Sequence, residues 1–161
     1  AISTGMRLGE ILNLKWPDID IKNNIITIYQ TKNGEVRSVP LVEQALSAIV
    51  EHSRVRKLNS DLVFPSIQNP NKPIRIRWHW NQLIQATKIS NFHFHDLRHS
   101  CASYLAMNGA SVTEIAEILG HKTLAMVKRY THFNQSHLKM VVERMNSRIF
   151  CEQSNIEYQT K

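Results

Sequence analysis

The stretch SVTEIAEILGHKTLAMVKRYTHF, residues 111–133, contains the clearest helical pattern of the chain. Ser111 and Glu114 have the spacing of a capping box, in which each side chain satisfies a backbone N–H group at the start of a helix. Gly120 is suited to end that helix, and Thr123 is a candidate cap for a second one. The apolar residues of the first helix recur at i, i+3, i+4 and i+7, at Val112, Ile115, Ala116 and Leu119. The stretch therefore predicts two consecutive helices.

Helices are also predicted on both sides of this stretch. Residues 92–109 end at Gly109, a residue typical of the position just after a helix. Close to the N terminus, Ser3 or Thr4 is a candidate cap for a helix that begins almost at once. The remaining predicted helices lie over 41–57, 77–88, 124–133 and 136–148.

Residues 23–41, NNIITIYQTKNGEVRSVPL, predict a β-hairpin. β-branched residues flank the turn signal Asn33-Gly34, and Lys32 lies just before the tip. The expected fold is therefore mostly α with a small antiparallel β-element, in the α+β class. We expect one domain over residues 1–150, followed by a polar C-terminal tail over residues 151–161.

The composition suggests a polyanionic partner. The chain has 161 residues, 42% of them hydrophobic, and a formal net charge of +7. Such a basic surplus indicates nucleic acid or an acidic membrane surface. No apolar run approaches the roughly 20 residues of a membrane span, so no membrane segment is expected. Cys101 and Cys151 are far apart in the sequence, which favours free thiols in a reducing compartment and a location in the cytoplasm.

The histidines allow a first hypothesis, a zinc site. His95 and His99 lie four positions apart, as in a helical metal-binding motif, and Asp96 takes the place of the motif's glutamate. His93 or His121 could be a third ligand. Arg98 lies between the two histidines, and its charge would oppose a divalent cation by Coulomb repulsion. The spacing favours a metal and the neighbouring charge argues against one.

A helix-turn-helix is a second hypothesis. The two helices on either side of Gly120 match the pattern of a DNA-binding helix pair, with Lys128 and Arg129 as phosphate contacts. This alternative describes a non-catalytic DNA-binding module.

Phosphoryl transfer to a protein nucleophile is a third hypothesis. Breaking a DNA phosphodiester without a metal needs a nucleophile, fixed positive charge on the phosphate oxygens and a proton source for the leaving oxygen. Tyr130 could be the nucleophile, and arginines suit the phosphate because the guanidinium is bidentate and always charged. The acidic residues form no pair of the kind that a two-metal nuclease uses, which favours a metal-free scheme.

Five short motifs occur in one order along the chain: TGMRLGEIL, TKNGEVRSVPL, HDLRHS, LGH and KRYTH. Each motif is weak alone, but together, in this order and approximate spacing, they are highly specific. From about Thr4 to about Phe133 the chain resembles the tyrosine recombinases, or phage integrases. The resemblance implies the catalytic-domain fold of that family and a reaction that needs no cofactor and no metal.

The resemblance also implies a role for each matching residue. Tyr130 would be the nucleophile that forms a 3′-phosphotyrosyl link, and Lys32 would protonate the leaving 5′ oxygen. Glu10 resembles an acidic residue that supports the site, while His99 is assigned only to helix packing or to support behind the site. The residues expected to hold and neutralise the phosphate are Arg7, His95, Arg98 and His121.

The expected partner is double-stranded DNA, which such an enzyme cuts and rejoins during recombination or integration. Outside the catalytic residues, Arg75 and Arg77 in the basic and aromatic segment RIRWHW are candidates for DNA binding, as are Lys128 and Arg129. The resemblance implies further N-terminal domains in the full-length protein, of which this chain would be a fragment. It also implies a homotetramer in the synaptic complex.

Overall fold

A computed structural model gives the structure of the chain. The residues that it describes are 1–29, 36–121, 123–128, 130 and 135–151. The chain divides into two compact units, Ala1–Tyr130 and Thr131–Lys161. The boundary between a domain over 1–150 and a tail over 151–161 stays a prediction, because nearly all of that tail lies outside the described residues. Among the described residues, no helix has both the length and the apolar character needed to cross a bilayer.

The first unit contains a three-stranded antiparallel sheet with strand order β1–β2–β3. Its strands are β1 (Ile19–Asp20), β2 (Ile25–Ile28) and β3 (Arg37–Pro40). In the β2–β3 pair Ile26 lies opposite Val39 and Ile28 lies opposite Arg37, so the two predicted hairpin strands are confirmed. The hairpin tip with Lys32 lies outside the described residues. The sequence does not predict β1, because two residues are too few for an alternating pattern.

Helices make up most of the remaining structure, and the predicted α+β class is confirmed. The helices are α1 (Leu8–Leu12), α2 (Glu43–Ser53), α3 (Arg77–Thr87), α4 (Phe94–Met107), α5 (Val112–Leu119), α6 (Ala125–Lys128) and α7 (Gln135–Cys151). α5 begins at the predicted capping box, in which the Glu114 N–H donates to Ser111 Oγ at 3.2 Å and the Ser111 N–H donates to Glu114 Oε2 at 2.7 Å. It ends at Gly120, whose φ of +63° lies in the left-handed region.

The first helix begins later than the sequence suggests. Its N-cap is Arg7, so the prediction of Ser3 or Thr4 as the cap is wrong. The physical reason is Gly5, whose φ of +63° belongs to a turn and keeps the preceding residues out of the helix. The short α1 therefore starts directly after Arg7.

The helix predicted over 124–133 is also shorter in the structure. α6 spans four residues and ends at Lys128. The N–H groups of Met126, Val127 and Tyr130 each donate to the carbonyl three residues earlier, which is the bonding of a tight turn. Tyr130 thus lies in a turn after α6 instead of within a helix.

Two clusters of buried apolar side chains stabilise the first unit. One joins the sheet, α2 and the segments around them, with Ile26 and Val39 at its centre. The other joins α4, α5 and α6 through Ala102, Ile115, Ala116, Leu119 and Val127. Tyr130 is half-buried against this second cluster. The core therefore fixes the position of Tyr130 relative to α4 and α5.

In the second unit the described part is α7, which confirms the helix predicted over 136–148. Lys139 and Glu143 form an exposed ion pair of 3.6 Å between consecutive turns of α7. Such a pair contributes about 0.3–0.5 kcal/mol to helix stability. Among the described side chains of α7, the exposed apolar ones are Met140, Val141, Val142, Met145 and Ile149.

Candidate active site

Three arginine side chains from distant parts of the chain donate hydrogen bonds to the C-terminal end of α5. The acceptors are the carbonyl oxygens of residues 118–120. Arg37 Nη1 donates to the carbonyl oxygen of Ile118 at 2.5 Å. Arg98 Nη2 donates to that of Leu119 at 2.5 Å, and Arg7 Nη2 donates to that of Gly120 at 3.2 Å. The last carbonyls of a helix have no partner within the helix and carry partial negative charge. The end of α5 therefore gathers three cations at one place.

Glu10 joins two of these arginines. Its Oε1 lies 2.8 Å from Arg7 Nη1, and its Oε2 lies 2.7 Å from Arg37 Nη2. The carboxylate is 6% exposed, and this burial alone would raise its pKa. A hydrogen bond from the backbone N–H of Arg7 and the charge of Arg37 outweigh burial, so the pKa of Glu10 is lowered. Glu10 is therefore ionised at neutral pH and joins the guanidinium groups of Arg7 and Arg37, while its predicted role in the site stays a prediction.

Arg98 is only 3% exposed. Its Nη1 donates to the carbonyl oxygen of Gly5 at 2.5 Å, in addition to the bond from Nη2 to α5. The pKa of Arg98 is lowered to about 10, mainly because of burial and secondarily because of the charge of Arg7. The guanidinium therefore stays charged at neutral pH. Each Nη carries a second N–H, so two backbone carbonyls can hold Arg98 while it still donates to a phosphate.

Arg37 is a member of the arginine cluster that the sequence analysis did not identify. It is 8% exposed and packs against Gly120, where an added Cβ would lie 2.7 Å from Arg37 Cδ and Nε. His121 follows Gly120 directly, and its N–H donates to the carbonyl of Ala116 at 2.9 Å. The motif LGH thus needs its glycine for two reasons, a left-handed φ and the close approach of an arginine. Nothing in the hairpin pattern distinguishes Arg37 from an ordinary charged residue of a strand.

α4 carries the histidines of the site on one face. The rings of His95 and His99 are perpendicular, with centroids 4.7 Å apart. His99 Nδ1 forms a hydrogen bond with the Tyr130 hydroxyl. Burial, followed by the charges of His99, Arg98 and Arg7, lowers the pKa of His95, which favours its neutral form. The contact between His99 and Tyr130 was missed from the sequence, where only the spacing of four from His95 hinted at a shared face.

The structure places four of the predicted catalytic residues close enough to interact electrostatically. Arg7 and Tyr130 both influence the pKa of Arg98, and Arg7 also influences that of His95. His121 directly follows Gly120, whose carbonyl oxygen accepts a hydrogen bond from Arg7. The predicted residues outside the described parts are Lys32, Arg129 and the side chain of Lys128.

Arg75 and Arg77 lie just before and at the start of α3. Both are exposed, and they line a groove beside α3 that also contains Trp80 and Phe92. Trp80 packs against Phe92 with ring centroids 6.1 Å apart, whereas Trp78 is 66% exposed. Trp80 is therefore the tryptophan that anchors α3, and the two arginines remain accessible to a partner.

The zinc hypothesis gains no support. Among the described residues, no group of three or more His, Cys, Asp or Glu side chains could hold a metal ion. His95 and His99, the two histidines at metal-motif spacing, contact each other edge to face. The Nδ1 atom of His99 is engaged with Tyr130, which is a nucleophile candidate and not an expected zinc ligand.

Comparison with known proteins agrees with this geometry. The model of the phage integrase family matches residues 1–137. The shufflon-specific DNA recombinase of Escherichia coli is 36% identical over 138 residues, which cover 82% of this chain and 33% of that protein. The solved structure of XerA recombinase matches with a TM-score of 0.70 and 28% identity, over 88% of this chain and 54% of that one. XerH site-specific recombinase, bound to its difH substrate, matches with a TM-score of 0.67 and 26% identity, over 88% of this chain and 43% of that one.

The first curated relatives are longer proteins, of which the matched region spans 33% to 51%. The family match runs through α5 and α6 and through all five motifs, which supports the catalytic interpretation over a separate helix-turn-helix. It covers most of the chain, and the motif residues Arg7, His95, Arg98 and Tyr130 interact in the structure. The chain therefore belongs to the phage integrase family, the tyrosine recombinases.

Proposed function

We propose that this chain is the catalytic domain of a site-specific DNA recombinase. It would cut one DNA strand by attack of Tyr130 on a phosphorus atom and rejoin the 3′ end to a new 5′-hydroxyl. The observation that carries the proposal is the position of the Tyr130 hydroxyl, which is hydrogen-bonded to His99 of α4 and lies near the buried charge of Arg98. A phenol held beside fixed cations suits nucleophilic attack on an anionic phosphodiester.

In this reaction the cations bind the phosphate and neutralise charge at phosphorus. Arg7 and Arg98 would take this role, since the end of α5 already orients both guanidinium groups. His95 and His121 would donate hydrogen bonds to the same phosphate. Removing one such contact commonly costs about 3 kcal/mol of transition-state stabilisation, a rate loss of a few hundredfold. Glu10 would act indirectly, by holding Arg7.

The leaving 5′ oxygen needs a proton, and Lys32 would supply it. The phosphotyrosyl intermediate keeps the energy of the broken phosphodiester bond, so rejoining would need no ATP. The reaction as proposed uses neither a metal nor a cofactor, because fixed cations of the protein carry the charge of the transition state.

The proposed partner is double-stranded DNA, and the similar XerH site-specific recombinase is bound to its difH substrate in the solved structure. Arg75, Arg77, Lys128 and Arg129 are the proposed backbone contacts, of which the first two are exposed beside α3. A homotetramer of the full-length protein would hold two duplexes for strand exchange, and the cytoplasm is its proposed location.

Covalent trapping on DNA tests the proposal. The chain would be incubated with sheared, end-labelled genomic DNA of its source, and covalent complexes would be recovered by precipitation with dodecyl sulfate and potassium. We expect a covalent product linked through the DNA 3′ end, and sequencing of the recovered ends would give the cleavage site. A chain that binds DNA but leaves no covalent product would contradict the proposal.

The matched control is Tyr130→Phe, which removes one hydroxyl and keeps the ring against the core. We expect this variant to bind DNA like the wild type and to form no covalent product. A second control is a chelator, which should leave the wild-type reaction unchanged. Covalent product from the phenylalanine variant would show that another residue is the nucleophile.

A further inference from the structure

Arg37 is a charged residue at an inward-facing position of the sheet. In β3 residues 37 and 39 are buried while 38 and 40 are exposed, so Arg37 occupies a place that suits an apolar side chain. It lies opposite Ile28, which is also buried. Because only 6% of the Arg37 side chain is exposed, it offers little surface to a DNA strand. An effect of Arg37 on DNA cleavage therefore has to pass through the residues that it contacts.

Stability alone does not require a charge at this position. Burial lowers the pKa of Arg37, because the guanidinium loses contact with water, and the neighbouring charge of Glu10 opposes that shift. A buried ion pair is often no more stabilising than apolar side chains of the same volume. The ion pair of Arg37 with Glu10 therefore points to a role within the arginine cluster.

Arg37 contacts both of the groups that orient Arg7. Glu10 binds Arg7 Nη1 through Oε1 and Arg37 Nη2 through Oε2, at 2.8 and 2.7 Å. Arg7 Nη2 donates to the carbonyl oxygen of Gly120. Arg37 packs against Gly120 and donates to the carbonyl oxygen of Ile118. Arg37 thus fixes the carboxylate and the end of α5 in the positions from which they hold Arg7.

The sharing of Glu10 between two arginines leaves donors of Arg7 for a ligand. A carboxylate that faces a single arginine commonly accepts two parallel hydrogen bonds from its guanidinium. Here Oε2 accepts hydrogen bonds from Arg37 and from the backbone N–H of Arg7, while Oε1 accepts from Arg7 Nη1. Each Nη of Arg7 carries a second N–H, and 27% of the side chain is exposed. Arg7 can therefore donate to a phosphate.

Arg37 also contributes to the charge of the cluster. The guanidinium groups of Arg7, Arg37 and Arg98 and the carboxylate of Glu10 together carry a net charge of +2 at neutral pH. Without Arg37 the positive charge at the phosphate site would be smaller, and Oε2 of Glu10 could turn to the guanidinium of Arg7. Both changes would weaken the binding of an anion.

Given the strand cleavage proposed above, we propose that Arg37 is a positioning residue of that reaction. By binding Glu10 and the end of α5, it keeps the guanidinium of Arg7 directed at the scissile phosphate and offsets the charge of the carboxylate. Arg37 itself does not touch the DNA. Its loss should therefore cost less than the few hundredfold expected for a direct phosphate contact. A loss of about 10- to 100-fold is typical when a partner that orients a binding group is removed.

Single-turnover cleavage of a duplex that carries the recovered cleavage site measures this effect. Arg37→Met removes the charge, and its rate per folded molecule should fall by about 10- to 100-fold at saturating DNA. The matched control is Ile49→Ala, which also destabilises the fold but alters the apolar cluster of the sheet and α2. Once the folded fraction is measured by circular dichroism, the control should keep the wild-type rate per folded molecule.

A neutral methylphosphonate at the scissile position separates positioning from a general structural defect. The methyl group replaces a charged oxygen, so the reaction depends less on the cations that neutralise the phosphate. On this substrate Arg37→Met should cleave within about threefold of the wild-type rate. A variant that is merely distorted would be slow on both substrates by the same factor.

Two further variants cover the case in which Arg37→Met does not fold. Arg37→Gln carries no charge, but its amide can still donate to the carbonyl oxygen of Ile118. It should show the same rate loss and the same recovery on the methylphosphonate. Arg37→Lys keeps the charge beside Glu10 and should cleave the phosphodiester faster than Arg37→Gln.

The outcomes distinguish this inference from the proposed function. If the wild type forms the Tyr130 adduct and the Arg37 variants cleave at its rate, Arg37 has no positioning role while the recombinase proposal stands. An equal defect on the phosphodiester and the methylphosphonate would also overturn that role, in favour of a purely structural one. Equal rates for Arg37→Lys and Arg37→Gln would have the same meaning. If no wild-type adduct forms, the proposed function fails and this inference fails with it.

Discussion

The substitution Arg37→Met tests whether a buried ion pair fixes the end of α5. Methionine has a similar length and removes the charge. In the structure Arg37 Nη2 lies 2.7 Å from Glu10 Oε2, and both side chains are 6% exposed. Breaking a buried pair by removing one partner costs about 3–5 kcal/mol, because the remaining charge stays buried without compensation.

For the loss of the ion pair alone, we expect the free energy of unfolding to fall by an amount near the lower end of this range. Glu10 keeps its bond of 2.8 Å to Arg7, so the carboxylate retains one cation. We therefore assign about 3 kcal/mol to the lost ion pair. The carbonyl of Ile118 loses the bond from Arg37 Nη1 as well, at about 1 kcal/mol. The free energy of unfolding should fall by about 4 kcal/mol in total, a large part of the usual 5–15 kcal/mol.

Urea unfolding followed by circular dichroism at neutral pH measures this change. The matched control is Arg54→Met, since Arg54 is exposed, and its unfolding free energy should stay within about 0.5 kcal/mol of the wild type. The double variant Arg37→Met with Glu10→Gln removes the stranded carboxylate. It should cost less than the sum of the single variants by at least about 1 kcal/mol. A loss under about 1 kcal/mol for Arg37→Met, or strict additivity in the cycle, would refute the reasoning.

Acid titration of stability gives an independent check on the same pair. The pKa of Glu10 is lowered in the folded protein, so its ionised form stabilises the fold above the unfolded pKa of about 4.3. That stabilisation is lost as the pH falls through the lower, folded pKa. The difference in unfolding free energy between wild type and Arg37→Met should therefore narrow as the pH falls below about 4.3. A constant difference across that range would show that the pair does not titrate as described.

Two other predictions concern the turn after α5 and the surface beside α3. Gly120→Ala should lower the free energy of unfolding by at least about 2 kcal/mol, because it combines a left-handed φ with a Cβ 2.7 Å from Arg37. Gly109→Ala, with positive φ but no atom within 4 Å, should cost only about 1 kcal/mol in the same urea assay, and equal losses would contradict the packing argument. Replacing Arg75 and Arg77 together by alanine should make DNA binding less dependent on salt. The slope of the logarithm of the DNA association constant against the logarithm of the salt concentration should fall in magnitude by up to about 2, as measured by fluorescence anisotropy with a labelled duplex. An unchanged slope would remove both arginines from the DNA interface.

Much of the local structure could be predicted from the chain alone. The capping box at Ser111 and the glycine at 120 set both ends of α5, and the β-branched runs beside Asn33-Gly34 set the strands β2 and β3. These signals are reliable because cap and strand patterns depend on residues a few positions apart. The start of α1 was predicted wrongly, since the turn at Gly5 depends on the packing of that segment against other parts of the chain.

The candidate site also contains residues that the sequence motifs identified and a residue that only the structure revealed. The motifs identified Arg7, His95, Arg98 and Tyr130, and the structure places these residues together. No motif identified Arg37 as the partner of Glu10. The spacing of residues in the sequence cannot reveal such a partner, because each charged residue taken alone resembles an ordinary surface residue.

The sequence by itself determined the family, the helical character of the chain and the types of residue available for phosphoryl transfer. The tertiary structure decided which of those residues meet. The bonds from Arg7 to Gly120 and from Arg37 to Ile118 join residues 113 and 81 positions apart, and the contact of His99 with Tyr130 spans 31 positions. Local rules act over a few residues, whereas these contacts exist only because the apolar core packs α4, α5 and the sheet into fixed positions.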